Sequence, residues 1–171
     1  MKFYLNQKVF DKDENDAIYS ELETMGIKDA DIAKDQLIDI FNITKDAGIR
    51  DKIALFFSDL YDEDLVPVLI KKIDEIRYSK HITTLIYACS GYDCAEWIVF
   101  FVGLAIEFDD STYIEAIGVI EEIRSPIKLS DRIVSAKLLM ERLSTMEKDN
   151  EKYKAIESLL ELIEDMEVVV L

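Results

Sequence analysis

The chain has 171 residues, of which 50% are hydrophobic and 33% are charged, and its formal net charge is −16. That length is enough for one compact domain with a substantial core, and the five glycines and two prolines leave so little turn material that we predict an all-α fold. Because nucleic acids and anionic membranes are bound mainly through Lys and Arg, an excess of 36 acidic over 20 basic residues argues against both as partners.

The first ten residues, MKFYLNQKVF, lack the apolar run and the small-residue cleavage site of a signal peptide, so we expect a cytoplasmic protein. The next segment has the first ligand types of a calcium-binding loop, with Asp11, Asp13 and Asn15 at alternate positions. Asp16 then stands where such a loop requires glycine, and Leu22 stands where it requires a bidentate glutamate. We therefore predict the acidic start of a helix.

Beyond residue 16, apolar residues recur every three or four positions, and short breaks rich in Asp, Ser, Gly or Pro separate them. Plausible N-caps or first-turn acids are Asp64, Asp93 and Ser130. The clearest linker is RSPIKLSD, because Pro126 cannot continue a helix in the ordinary way. We predict about nine helices, at 15–25, 31–43, 48–60, 63–77, 79–90, 93–107, 111–124, 129–145 and 150–166.

These helices are assigned to a single domain, 1–171. Its predicted parts are an N-terminal segment with one helix, 1–30, a series of helix pairs, 31–124, and a last helix pair, 129–166. The two ends, MKFYLNQKVF and EVVVL, each fit a frayed helix end or a short strand, and pairing of one with the other is a further alternative.

An internal repeat is visible in the middle of the chain. A shift of 29 residues places IALFFSDLYDEDLVPVLI, which begins at Ile53, on ITTLIYACSGYDCAEWIV, which begins at Ile82, without a gap. Apolar residues fall on apolar residues on both sides of a short turn, and Asp64 falls on Asp93. Repetition of this kind is the sequence signature of stacked helical units.

The segment DAGIRDKIALFFSDL, followed by EDLVPVLIKKI, resembles a HEAT repeat. The second helix of that repeat typically opens with a small aliphatic residue and Arg and carries an internal Ala, and Ile49, Arg50 and Ala54 occupy those positions. The resemblance covers about residues 31–124. It implies a HEAT-like (armadillo-type) α-solenoid, a short right-handed α-α superhelix of antiparallel helix pairs. Periodicity alone also allows an irregular helical bundle.

Both cysteines, Cys89 and Cys94, lie in YACSGYDC, downstream of the only histidine, His81. In the 29-residue register they replace Leu60 and Leu65, so both are expected to be core residues. A structural zinc ion needs four ligands, and eight residues of helix place His81 and Cys89 about 12 Å apart. We therefore predict packing, with no metal and no cofactor.

Other catalytic arrangements are also missing from the sequence. Asp109–Asp110 and Glu121–Glu122 are carboxylate pairs, but nothing around them predicts the enclosed pocket that acid–base catalysis requires. One histidine is too few for the metal motifs of HEAT-like hydroxylases, and the charge contradicts the basic groove of HEAT-like DNA glycosylases. We predict that the protein is not an enzyme and has no catalytic residues.

The same register aligns Lys71 and Lys72, which are expected to lie toward solvent on their helix, with Phe100 and Phe101. One interpretation is that a polar helix face has become an aromatic recognition surface. The other is that the run WIVFFVGLAI, 97–106, forms a helix buried on all sides, and we favour this because its neighbours on the helix are also apolar. The run is about half as long as the ~20 residues that span a bilayer.

Charge gives the functional hypothesis, because no Lys or Arg occurs between Lys80 and Arg124 while eight acids do. We expect a non-catalytic module that presents this acidic surface to a basic protein partner, steered by charge and then held by buried aromatics. An immunity-type inhibitor of a basic toxin or nuclease is one version. The alternatives are an enzyme or small-ligand binder with an inter-helix pocket, and a self-associating structural repeat forming a homodimer. The candidate surface comprises Tyr87, Trp97, Phe100, Phe101, Glu107, Asp109, Asp110 and Tyr113.

Overall fold

The computed structural model describes residues 11–170, and within that range nearly all regular structure is helical, which confirms the all-α class. The segment MKFYLNQKVF lies outside the described residues. Two-residue strands, β1 and β2, pair in parallel. The elements are α1 Lys12–Thr24, α2 Ile27–Ile32, α3 Lys34–Ile43, α4 Ala47–Leu60, α5 Val66–Glu75, α6 Thr83–Cys89, α7 Ile98–Glu107, α8 Ser111–Glu121, β1 Ile127–Lys128, α9 Leu129–Leu143, α10 Glu151–Asp165 and β2 Val168–Val169.

The chain divides into two compact units, the first ending at Ala88 and the second beginning at Cys89. In the first unit, α1, α2 and α3 all pack against α4. Helix α4 can fill this central place because Ile49, Ile53, Ala54 and Phe57 recur at helical spacing and are fully buried. Their core is shared with α3, where Phe41 meets Phe57 edge to face with ring centroids 5.3 Å apart.

In the second unit, α7 packs against α8 and α9, and α9 packs against α10. Helix α7 is apolar on nearly every side, so it occupies the centre of this unit and buries Ile98, Phe101 and Leu104. The predicted buried helix 97–106 is observed as α7, but the side that carries Val99, Phe100 and Gly103 is only half-buried. Strand β1, within the predicted linker, pairs with β2 through Ile127 opposite Val168. The segment EVVVL therefore contributes a strand.

Helix starts follow the sequence closely. Asp11 is the N-cap of α1, and its carboxylate accepts from the Glu14 amide at 2.9 Å while the Glu14 carboxylate accepts from the Asp11 amide. Since Asp13 lies in the first helical turn, the predicted acidic helix start is confirmed and a calcium loop is not formed. Ser130, a predicted N-cap or first-turn residue, is the second residue of α9 and does not cap it, since the N-cap is Lys128.

Several helix boundaries differ from prediction; the predicted helix 93–107, for example, begins at Ile98, and the predicted helix 111–124 ends at Glu121. The predicted helix 31–43 begins at Lys34, since a non-helical residue, Ala33, separates it from the additional short helix α2. The predicted helix 79–90 shrinks to α6, Thr83–Cys89, so His81 lies outside the helix that carries Cys89.

The 29-residue register holds at the C-terminal ends of α4 and α6 and fails for the helices that follow them, α5 and α7. Helices α4 and α6 end at Leu60 and Cys89, a shift of 29 residues. Two residues then precede the single 3-10 turn Glu63–Leu65, but five precede the corresponding turn Ala95–Trp97. Because of this longer connection, α5 corresponds to α7 at a shift of 32 residues, and the two helices then match end to end with the same order of buried positions.

This correction removes the lysine-to-phenylalanine exchange. At a shift of 32, Phe101 corresponds to Leu69, and both are fully buried. Lys72 was expected to lie toward solvent, but it is 6% exposed and its ammonium donates to the Asn42 carbonyl at 2.9 Å and to Glu75 at 2.6 Å. Lys71 is exposed as expected. Phe101 therefore belongs to the core and not to a recognition surface.

Candidate functional site

Four of the eight predicted surface residues lie around the turn between α7 and α8. Glu107 is the last residue of α7, Asp109 follows in the turn, and Tyr113 lies in the first turn of α8. Asp110 is the N-cap of α8, and its carboxylate accepts from the Thr112 amide at 2.9 Å. Hydrogen bonding to Thr112 lowers the pKa of Asp110. The three acids are exposed, and Tyr113 is half-buried.

A buried lysine reaches this turn from α10. The Lys152 ammonium donates to the carbonyls of Ile106, at 3.2 Å, and Phe108 and to Asp109 Oδ1 at 2.7 Å. It also lies 5.3 Å from the centroid of the Tyr113 ring. The hydrogen bond from Lys152, followed by its charge, lowers the pKa of Asp109. Lys152 thus neutralises one acid and caps the negative C-terminal end of α7.

A second cation lies beside the same carboxylate, since Arg142 Nη2 is 3.5 Å from Asp109 Oδ1. These residues line a cleft of about 440 Å³ together with Tyr113 and Asn150. The stretch between Lys80 and Arg124 is free of cations in sequence, but Lys152 and Arg142 supply them in space. The uncompensated part of the acidic interval is therefore smaller than the sequence indicates, and it excludes Asp109.

The aromatic members of the predicted surface differ in how far their side chains are exposed to solvent. Tyr87 is 52% exposed on α6, in the first unit. Trp97 and Phe100 are half-buried in the second unit, and the Phe100 ring meets Phe101 edge to face at 5.4 Å. Phe101 is fully buried. Phe101 is removed from the candidate surface by its burial, because a core side chain contacts no partner.

The outward side of α8 carries the apolar and acidic surface that the sequence interpretation missed. We define the α8 outer face as Ser111, Ile114, Gly118 and Glu121, which recur at spacings of three and four. Ile114 is 56% exposed although it is a large aliphatic residue, and Glu121 is exposed beside it. The opposite side buries Ala116, Val119 and Ile120. The α8 outer face could have been predicted from the sequence, because a helical projection of residues 111–124 places its four members on one side.

Because Gly118 has no side chain, the α8 outer face is indented at that position. A Cβ added at Gly118 would meet no atom within 4 Å, so nothing in the folded chain requires glycine there. Glycine within a helix is less stable than alanine by about 0.5–1 kcal/mol. The absence of a side chain at Gly118 leaves a shallow notch on the helix surface between Ile114 and Glu121.

The C-terminal end of α8 is held by Asp93. Its carboxylate accepts from the amides of Ser125, at 2.9 Å, and Arg124, at 3.4 Å. Desolvation raises the pKa of Asp93, but hydrogen bonds from Ser125, Arg124 and Ala95 lower it by more. Asp93 therefore orders the chain immediately after Glu121 and Glu122. Glu122 in turn lies 3.5 Å from Arg124 in an exposed ion pair.

The cysteines behave as the sequence predicts. Cys89 and Cys94 are fully buried and unoxidised, and the Cys94 thiol donates to the Cys89 carbonyl with a sulfur-to-oxygen distance of 3.6 Å. Burial raises the pKa of the Cys89 thiol well above its usual range. His81 is exposed, and residues 11–170 hold no cluster of three or more His, Cys, Asp or Glu side chains suited to a metal ion. The burial of Cys89 and Cys94 confirms the prediction that both are core residues.

Across the described range, every helix is too short or too polar to cross a lipid bilayer. Comparison with family models, with curated proteins and with solved structures gave no match for this chain.

Proposed function

We propose that this chain is a non-catalytic protein-binding module that presents an acidic surface to a basic protein partner. The observation that carries the proposal is the α8 outer face, where an exposed isoleucine and an open glycine adjoin exposed glutamates. Buried apolar anchors surrounded by charge are the usual anatomy of a protein interface. A basic partner fits because Glu121 joins no ion pair among residues 11–170.

Binding proceeds in two stages under this proposal. The negative charge attracts the partner over about 8 Å at physiological salt, and Ile114 is then buried in an apolar pocket of that partner. The exposed acids Asp110 and Glu121 supply the attraction, and Glu122 contributes less because Arg124 pairs with it. Asp109 contributes less because Lys152 and Arg142 already balance its charge. Tyr113 supports Lys152 and has a packing role.

The proposed scaffold is a HEAT-like superhelix of antiparallel helix pairs. Two facts support it: α5 and α7 have equal lengths and the same order of buried positions, and the residues that carry the resemblance, Ile49, Arg50 and Ala54, are all buried on α4. Repeats of this type commonly bind proteins over extended helical surfaces. A cytoplasmic immunity-type inhibitor, which covers a basic toxin or nuclease by imitating nucleic-acid charge, is the most specific version of this function.

The test is affinity capture with the immobilised chain, with captured proteins identified by mass spectrometry. The proposal predicts capture of a basic protein that weakens steadily as salt rises from about 0.05 to 1 M, because salt screens exposed charges. Specific capture that persists unchanged at the highest salt contradicts the electrostatic stage. Capture of acidic or neutral proteins alone contradicts the choice of partner.

A further inference from the structure

The first unit contains a groove that shares no residue with the α8 outer face. It has a volume of about 490 Å³ and is formed by the last turn of α1 and by α2 and the start of α3. Its apolar surface comes from Met25, Ile32 and Ala33. Grooves of this size accommodate a small ligand or the side chains of a short peptide.

The groove follows from the way the first three helices are connected. Helices α1 and α2 both pack against α4, and between them the chain is extended at Met25 and Gly26, where α2 starts. Helix α2 has six residues and buries only Ala30. Ile32, its last residue, is 85% exposed at the edge of the groove. A large apolar side chain is thus left without cover in the free chain.

The groove is also strongly acidic. Glu21, Asp29 and Asp35 line it, and no ion pair within the described part of the chain includes any of the three. Lys34 is adjacent in sequence, but its ammonium is bound to Asp62. The hydrogen bond to Asp62 raises the pKa of Lys34 and keeps its ammonium charged at that contact. Three carboxylates therefore surround an apolar floor.

We propose that this groove binds a lysine or arginine side chain of an amphipathic helical segment in a partner protein. The aliphatic stem of such a side chain covers Met25 and Ala33 while its charged end meets the carboxylates. A protein segment fits better than a free amine, because Ile32 extends beyond the groove and requires a second apolar side chain to cover it. The site is independent of the proposed α8 surface, which belongs to the second unit.

The test measures binding of a fluorescein-labelled peptide of repeated Leu-Arg-Ala-Leu units to the full chain by fluorescence anisotropy. A second peptide with citrulline at every arginine has the same shape without the charge. One variant, Ile32→Ser, removes the apolar contact. A triple variant, Glu21→Gln with Asp29→Asn and Asp35→Asn, removes the acids. The matched control is Asp16→Asn with Asp39→Asn and Asp59→Asn, three exposed acids of the same unit that do not line the groove.

We expect the arginine peptide to bind and the citrulline peptide to fail. Ile32→Ser should weaken binding by about fivefold and the groove triple by about tenfold, while the control triple changes it by less than about twofold. Thermal midpoints establish that each variant is folded, and Ile32→Ser should keep the parent midpoint because the side chain is exposed. Equal weakening by both triples overturns the proposal, since it indicates unspecific charge attraction.

Two further outcomes also overturn it. If spermidine displaces the peptide with equal affinity, the groove binds small polycations and does not need a protein segment. If Ile114→Ser weakens the peptide and Ile32→Ser does not, the peptide binds the α8 outer face, and the groove proposal fails while the proposed function survives. Chemical-shift changes at Met25 and Ala33 in a ¹⁵N-labelled sample would place the peptide in the groove.

Discussion

The Lys152 ammonium lies 2.7 Å from Asp109 Oδ1, although 43 residues separate the two in sequence. Its two other hydrogen bonds go to carbonyl oxygens at the C-terminal end of α7, so all three ammonium protons are engaged. A lysine that is 5% exposed is tolerated only when it is satisfied in this way. The contact connects α10 to the α7–α8 turn and fixes where the α8 outer face begins.

Lys152→Met should destabilise the second unit. Methionine keeps most of the aliphatic volume but leaves two helix carbonyls and Asp109 without their donor, which we expect to lower the free energy of unfolding by about 2 kcal/mol. The matched control is Lys154→Met, an exposed lysine on the same helix, which should change it by less than about 0.5 kcal/mol. Urea unfolding followed by circular dichroism measures both, and equal effects would show that Lys152 is not structural.

Acid should destabilise the protein through aspartates whose pKa is lowered in the folded chain. Lys152 lowers the pKa of Asp109, and Lys34 lowers that of Asp62. In the unfolded chain these carboxylates return to a pKa of about 4, so they bind protons first there and the stabilisation is lost as pH falls below about 4. Urea midpoints should fall as the pH drops below about 4, and less steeply for Asp109→Asn.

Asp51 provides a control of opposite sign. Burial raises its pKa, against the opposing charges of Arg50 and His81, so its ionised form is disfavoured in the folded chain. The folded chain is therefore more stable when Asp51 is protonated, and this stability is lost as pH rises through the pKa that Asp51 has in the folded chain. Asp51→Asn should therefore raise the urea midpoint at pH 7, whereas Asp109→Asn should lower it. Midpoints that move in the same direction for both variants would contradict these assignments.

Gly118→Ala should stabilise the chain by about 0.5–1 kcal/mol, because alanine favours the helix and its Cβ enters open space. Gly48 offers the contrast, since a Cβ there would lie 3.3 Å from Asp46 Oδ1 and 3.4 Å from the Tyr19 ring. Gly48→Ala should gain less or lose stability. If Gly118 serves close approach, Gly118→Ala should also weaken partner binding despite its higher thermal midpoint. If Gly118→Ala leaves the affinity for the partner unchanged, the notch plays no part in binding.

Local sequence signals predicted the helices well. The predicted helix 48–60 differs from α4 by one residue at its start, because Asp46 caps the helix and the apolar spacing persists to Leu60. The 29-residue register was sound up to Cys89, and it failed where the connection gained three residues. Apolar residues repeat every three to four positions along a helix, so a shift of three residues keeps apolar on apolar. Hydrophobic matching alone cannot detect such a shift.

The candidate site was less predictable, for a physical reason. Net charge along the sequence marked the acidic interval, but compensation of Asp109 by Lys152 and Arg142 depends on contacts that span 43 and 33 residues. Lys72 illustrates the same point, since its Asn42 partner is 30 residues away. Lys72 and Lys152 donate hydrogen bonds to the C-terminal ends of other helices, and nothing in the sequence next to either lysine predicts that role. The α8 outer face, by contrast, follows from helical spacing within one segment.

Substitution of Ile114 tests the central claim most directly. Isothermal titration calorimetry with the captured basic partner should show that Ile114→Lys weakens binding by at least about tenfold, because it replaces the apolar anchor with a like charge. The matched control is Ile133→Lys, an equally exposed isoleucine on α9, which should change affinity by less than about twofold. Equal affinities for Ile114→Lys and the parent chain would contradict binding through the α8 outer face.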